Sequence, residues 1–248
     1  MELDPTERYS FVLVHGACHD GSAWRCVIDR LEQRGHTAYA PTVAGHGVGA
    51  DPRATHAEST STVVDFIVDR NLTDIVLVGH SYGGTVISKV VEAIPDRVRR
   101  LVFWSSPVLE SGECLLDTFP PVMQEMLTHL AAVSTDNTVT LPFDVWRELM
   151  MNDADDELAR STYAQLSPEP FGQLTEALDL AVFYELTTPR SYLVGTEDAV
   201  PPGENGWHRR MASRLGAHRF VETPGGHEAL FTTPVTLADS IIEAGRDD

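Results

Sequence analysis

The 248-residue sequence predicts an α/β fold: a mainly parallel sheet with helices on both faces and a helical cap inserted between two strands. Three observations predict it. Short apolar runs rich in β-branched residues alternate with amphipathic stretches at helical spacing, the rhythm of strand–helix–strand units. The rhythm breaks at Pro107 and resumes after about Leu186. Within the break stand prolines at 107, 120, 121, 142, 168 and 170 and several helical pieces, so an insertion between two sheet strands is the simplest account.

Taken in order, "YSFVLV" (9–14) is a strand that runs into "HGACHDG" (15–21). "SAWRCVIDRLEQRG" (22–35) is an amphipathic helix closed by Gly35, and "TAYA" (37–40) a strand before the Gly-rich loop "PTVAGHGVGADP" (41–52). "STVVDFIVDR" (61–70) reads as a helix and "DIVLV" (74–78) as a buried strand. "TVISKVVEAI" (85–94) carries Val86, Ile87, Val90, Val91 and Ile94 at helical spacing until Pro95 stops it. "RRLVFWSS" (99–106) is the next strand. After the insertion come strand "RSYLVG" (190–195), helix "WHRRMASRL" (207–215), strand "HRFVE" (218–222) and a last helix within 229–243. Residues 1–106 and 187–248 therefore form the core, and 107–186 the cap. Cap pieces such as "PVMQEMLTHLAAV" and "DVWRELMM" hold large apolar side chains. Phe119, Met123, Trp146 and Phe171 are expected to shape a mostly apolar substrate pocket.

Composition narrows the function. Hydrophobic residues make up 42% and charged residues 22%, an ordinary globular balance. A formal charge of −19 argues against nucleic acid, whose phosphates need Lys and Arg, and disfavours anionic membranes. Cys18, Cys26 and Cys114 are odd in number and lack metal-ligand spacing, so neither a disulfide framework nor a zinc site is expected. The polar N-terminus "MELDPTERYS" lacks the apolar core of a leader, and no run is long enough to span a bilayer. A cytoplasmic location is the expectation; the oligomeric state is left open.

The chemistry centres on "VGHSYGG" (78–84), where Ser81 stands between a strand and a helix. Gly79 and Gly83 fit the crowding of so sharp a turn, and the spacing is G-x-S-x-G, the nucleophile-elbow pattern. Alone, it equally fits a junction with a helix-capping serine. A serine nucleophile needs a base and a group to orient that base, both on loops at the C-terminal strand edge. "TEDAVPP" (196–202) offers Glu197 and Asp198, and "TPGGHEAL" (223–230) offers His227. Each alone fits a turn acid or a surface histidine; together, in the order Ser…acid…His, they read as a triad. The oxyanion donors are expected to be the backbone N–H groups of Tyr82 and Ala17. His15, His19 and Cys18 crowd the Ala17 loop without a ligand-spaced cluster, so no metal and no cofactor is expected. His80 and His46 are read as packing or turn residues.

At this point the sequence resembles the α/β-hydrolase superfamily. "FVLVHGACHDGSAW" is similar to the opening of the plant-type esterase and hydroxynitrile lyase branch and its bacterial relatives. "LVGHSYGG", "GTEDAVPP" and "GGHEAL" extend the resemblance to both ends of the chain, while the cap shares only pieces such as "LSPEP" (166–170). The resemblance implies Ser81 as nucleophile, His227 as general base, Asp198 rather than Glu197 as orienting acid, and Ala17 and Tyr82 as oxyanion donors. It also implies that lyases of the branch carry a threonine where this chain has Gly16 and a lysine where it has Glu228. The expected function is a serine esterase acting on a small neutral carboxylic ester, lactone or thioester. The alternatives are a lyase or a biosynthetic tailoring or cyclising enzyme on the same fold, or a ligand-binding protein with vestigial catalysis.

Overall fold

The computed structural model describes residues 8–203 and 206–247. Most of the N-terminal stretch read above for the absence of a leader lies outside them. In chain order the chain forms strand β1 (Ser10–Val14), a 3₁₀ turn (Gly21–Trp24), helix α1 (Arg25–Gln33), β2 (Thr37–Tyr39), α2 (His56–Asp69) and β3 (Ile75–His80). Helix α3 (Tyr82–Ala93) and β4 (Val98–Trp104) follow. The insertion contributes a 3₁₀ turn (Leu116–Thr118), α4 (Pro121–Val133), β5 (Thr138–Val139) and α5 (Phe143–Val145), which runs into a π-helical turn (Trp146–Met150). It continues with α6 (Asp156–Tyr163), β6 (Glu169–Pro170), α7 (Phe171–Thr175) and α8 (Ala181–Glu185). The chain closes with β7 (Arg190–Gly195), α9 (Trp207–Ser213), β8 (Arg219–Thr223), α10 (Ala229–Thr232) and α11 (Pro234–Gly245).

Six strands form one sheet in the order β2-β1-β3-β4-β7-β8, and each neighbouring pair is parallel. A parallel sheet covered on both faces needs strands that are apolar on both sides, and every residue of β3 is buried. Successive side chains alternate between faces. Val12, Leu77, Leu101 and Tyr192 enter the core on the α2/α3 side, while Phe11, Val76, Val102 and Leu193 pack with Leu31 and Ile241 on the other. The strand order reverses between β1 and β3, the crevice where open α/β sheets bind ligands at the C-terminal strand ends.

The insertion is continuous with the α3 side. Its Met123, Leu127, Leu174 and Phe183 join the main core, and Trp146, Met151 and Ala159 form a small cluster of their own. Beta strands β5 and β6 pair antiparallel, apart from the main sheet.

Several boundaries differ from the sequence reading for identifiable reasons. Helix α2 begins at His56, five residues early, because Thr55 and Glu58 form a reciprocal capping box. Helix α3 begins directly after Ser81, which leaves no connecting loop. The expected last helix is two helices, because Pro234 cannot continue α10 and instead opens α11.

Candidate active site

Ser81 sits at the turn between β3 and α3 with φ 48° and ψ −120°. A non-glycine residue in this region stores about 1–3 kcal/mol of backbone strain, so surrounding contacts must hold it. They do. Ser81 N–H donates to the Trp104 carbonyl at 3.0 Å, and the Ser81 carbonyl accepts from Gly84 N–H at 3.0 Å and the Ser106 hydroxyl at 2.8 Å. The flanking glycines are required by space: a Cβ on Gly79 would stand 2.5 Å from the Gly83 carbonyl oxygen, and one on Gly83 2.5 Å from that of Val14. The fold thus presses the elbow against β1 and lifts a half-buried serine above the sheet edge.

Asp198 follows β7 and His227 follows β8, so parallel pairing brings two loops 29 residues apart to one edge. His227 Nδ1 lies 3.0 Å from Asp198 Oδ2 and 3.3 Å from Oδ1, with both side chains almost completely buried. Asp198 Oδ1 also accepts the Val200 N–H at 2.9 Å. Burial alone would raise the Asp198 carboxyl; the His227 ring and its hydrogen bond, with His208, outweigh burial and hold it below the ordinary carboxylate value. Burial alone would lower His227, but Asp198 and then Glu228 leave it above the ordinary imidazole value. Glu197 is exposed, and its backbone carbonyl accepts from Asn152 of the insertion.

His80, next to Ser81, ties these loops to the elbow. Its ring centroid is 4.9 Å from that of His227, and its Nε2 lies 3.1 Å from the His227 carbonyl. Burial first, then the neighbouring His227 and His19, push His80 well below the ordinary value, so it is a neutral donor to that carbonyl. His80, His227 and Glu228 offer ligand-type atoms within 4.8 Å of one another. Two of the nitrogens are already engaged, His80 Nε2 with the carbonyl and His227 Nδ1 with Asp198.

Ala17, Ser81 and Tyr82 line one narrow cavity of about 60 Å³, together with Phe119, Met123, Leu141 and Glu169. Tyr82 N–H opens α3 and has no acceptor within its own helix. Cys18 also lines the cavity, but burial and then Glu169 and Glu228 push its thiol well above the ordinary value, so it is no rival nucleophile. A larger, open depression of about 630 Å³ lies at the opposite strand edge beside Arg100, Arg190 and Arg219, away from every candidate residue.

Two candidate pocket residues lie elsewhere. Trp146 is fully buried in the small cluster of the insertion and donates from Nε1 to the Ala159 carbonyl. Phe171 packs half-buried against the main core. Glu228 stands at the N-cap position of α10 and is buried, 3.5 Å from His19 Nε2. Sequence reading passed over Ser106, which holds the elbow, and the Tyr192–His208 pair beside Asp198. It also passed over the buried pair His46–Glu169, with Nε2 and Oε2 2.7 Å apart. His46 Nδ1 lies 3.1 Å from the Ala44 carbonyl, so both ring nitrogens face oxygen atoms, an arrangement that favours the protonated ring. Burial works against that charge, but Glu169 outweighs it and raises His46 above the ordinary value. Only the "LSPEP" fragment pointed to this region, and it carried no spacing that named Glu169.

The comparisons with known proteins agree with this fold. A model described as "Alpha/beta hydrolase family" matches residues 11–240. The chain is 27% identical to a carbendazim hydrolyzing esterase of Nocardioides sp. (strain SG-4G), over 95% of this chain and 99% of that protein. It is 24% identical to putative methylesterase 11 of Arabidopsis thaliana over 99% of its length, and spans 66% of that longer protein. Among solved structures, an extracellular α/β-hydrolase from a Paenibacillus species superposes with a TM-score of 0.94 at 38% identity. That match covers 96% of this chain and 100% of the other, described as sharing structural and functional homology with tobacco salicylic acid binding protein 2. With its elbow serine, its single parallel sheet and a family match from the first strand to the last helix, the chain belongs to the α/β-hydrolase family.

Proposed function

We propose that this protein is a cofactor-independent serine esterase that cleaves a small neutral carboxylic ester, lactone or thioester through an acyl-enzyme on Ser81. Ester hydrolysis as the class of activity stands on the relatives, named as esterases and methylesterases. The observation that carries the residue assignment is the buried 3.0 Å contact between His227 Nδ1 and Asp198 Oδ2, beside a serine in elbow geometry.

In this reading Asp198 keeps the proton of neutral His227 on Nδ1, which leaves Nε2 as the base. His227 takes the Ser81 hydroxyl proton as Oγ attacks the ester carbonyl. The N–H groups of Ala17 and Tyr82 hold the oxyanion, a pair in which each donor is worth about a hundred- to a thousandfold in rate. Collapse breaks the bond to the alcohol, which leaves with the proton from His227. Water, deprotonated by His227, then attacks the acyl-enzyme and releases the acid with Ser81 restored. The narrow apolar cavity supports a small bound group over a long chain.

Segment 107–186 acts as the lid that sets specificity, and a cytoplasmic location belongs to the same reading. No helix among the described residues is long and apolar enough to cross a membrane. The test is a screen of neutral esters of graded acyl length with wild type and Ser81→Ala. Turnover lost in the variant, together with organophosphonate labelling confined to Ser81, supports the assignment; labelling of another residue refutes it.

A further inference from the structure

The active-site cavity is lined mostly by apolar side chains, with Ser81, Tyr82, Cys18 and Glu169 as the exceptions. Among the described residues that line it, Glu169 is the only carboxylate, and its side chain is 1% exposed. Oε2 is fully committed: it accepts the Cys18 N–H at 2.8 Å and faces His46 Nε2 at 2.7 Å. Oε1 is buried and has no hydrogen-bond partner. An unpaired acceptor of a buried carboxylate costs free energy, which a donor brought into the cavity would recover as a charge-assisted hydrogen bond.

The frame around this oxygen is rigid. Cys18 has φ 65°, its N–H is held by Glu169, and its carbonyl accepts from Ser167 N–H at 2.8 Å. Glu169 thus sits in a strut between the insertion and the loop after β1, one residue beyond Ala17. A carboxylate needed only for that strut would not require an edge on the cavity that Ser81 lines.

We propose that Glu169 determines specificity by binding a hydroxyl or N–H donor on the cavity-bound part of the substrate through Oε1, so that donor-bearing esters are preferred over wholly apolar or ether-bearing ones. The inference rests on the esterase reading of the Ser81 site. Selectivity of this kind is strong, because a substrate lacking the donor leaves the carboxylate unpaired, and an ether oxygen in its place is repelled.

Glutamine gives a directional test. The Cys18 N–H at Oε2 is a donor in every protonation state, so in Glu169→Gln the amide oxygen is expected to stay there and the amide NH₂ to take the place of Oε1. The cavity then presents a donor instead of an acceptor. The measurement is kcat/KM for methyl hydrocinnamate and its ortho-, meta- and para-hydroxy and methoxy derivatives. Wild type is expected to favour at least one hydroxy ester over its methoxy partner by about tenfold or more. Glu169→Gln is expected to reverse that ratio at the same ring position, an effect that loss of a structural strut, which lowers all rates together, cannot produce. Phenol should also inhibit the wild type more strongly than anisole, a readout that needs no variant. Turnover with no hydroxy–methoxy discrimination in the wild type, or an unchanged ratio in Glu169→Gln, overturns the anchor alone. No turnover of any ester overturns the esterase reading and the anchor with it.

Discussion

Replacing Asp198 with Asn keeps the shape of the side chain but changes what it offers His227. Asp198 Oδ1 accepts the Val200 N–H at 2.9 Å, so the asparagine oxygen must remain there and its NH₂ takes the Oδ2 position, 3.0 Å from His227 Nδ1. Two donors cannot face each other. His227 must then move its proton from Nδ1 to Nε2, the nitrogen that has to be empty to take the Ser81 proton. Loss of the correct tautomer in a triad costs about a ten-thousandfold in kcat, equivalent to ~5.5 kcal/mol of transition-state stabilisation. The assay is steady-state hydrolysis of a small neutral ester, with circular dichroism and thermal unfolding to show that the variant is folded. Glu197→Gln is the internal control, since Glu197 is exposed and should change the rate less than about threefold, within the range of surface substitutions. A folded Asp198→Asn with near wild-type kcat, or a larger loss in Glu197→Gln, would refute the reasoning.

The acid limb of the kcat/KM–pH profile should lie above the ordinary histidine value, because His227 is raised and is inactive as a base while protonated; in the residual activity of Asp198→Asn it should move to lower pH. A wild-type limb well below 6.5 would contradict this. Phe119→Ala and Met123→Ala, which enlarge the cavity beside Ser81, should shift relative rates toward bulkier esters. Trp146→Ala, by contrast, should cost about 3–5 kcal/mol in denaturant unfolding, because it empties a fully buried site in the insertion's own cluster. Mandelonitrile should release no cyanide above the Ser81→Ala background, since buried Glu228 stands beside His227 where a lyase needs a cation. Gly16→Thr should not create that activity, because its Cβ would meet His80 Nδ1 at 2.9 Å and Ser81 Cβ at 3.2 Å, and enzyme-dependent cyanide release would refute both statements.

What the sequence determined by itself was written in short-range patterns. The apolar runs of β1, β3, β4 and β7 give a parallel sheet buried on both faces, because each residue's burial follows from its immediate neighbours in a regular strand. The elbow was legible for the same reason: Gly79, Ser81 and Gly83 lie within five residues, and a Cβ on Gly79 would clash with Gly83 of the same turn, although the matching clash at Gly83 is with Val14 and exists only once β1 lies alongside. Chain order gave the approximate places of acid and histidine, since each had to end a strand. The choice between adjacent Glu197 and Asp198 depended on which side chain the loop after β7 turns toward β8, and that is decided by pairing across 29 residues. Phe119 and Trp146 look alike in a sequence, yet one lines the cavity and the other fills a separate cluster, because helix packing within the insertion carries no fixed period. Glu169 and His46 are 123 residues apart, and no single motif joins them. Their proximity, and the unpaired buried oxygen of Glu169, exist only once the insertion folds back onto the loops after β1 and β2, since electrostatic pairing acts through distance in space and leaves no spacing in the chain.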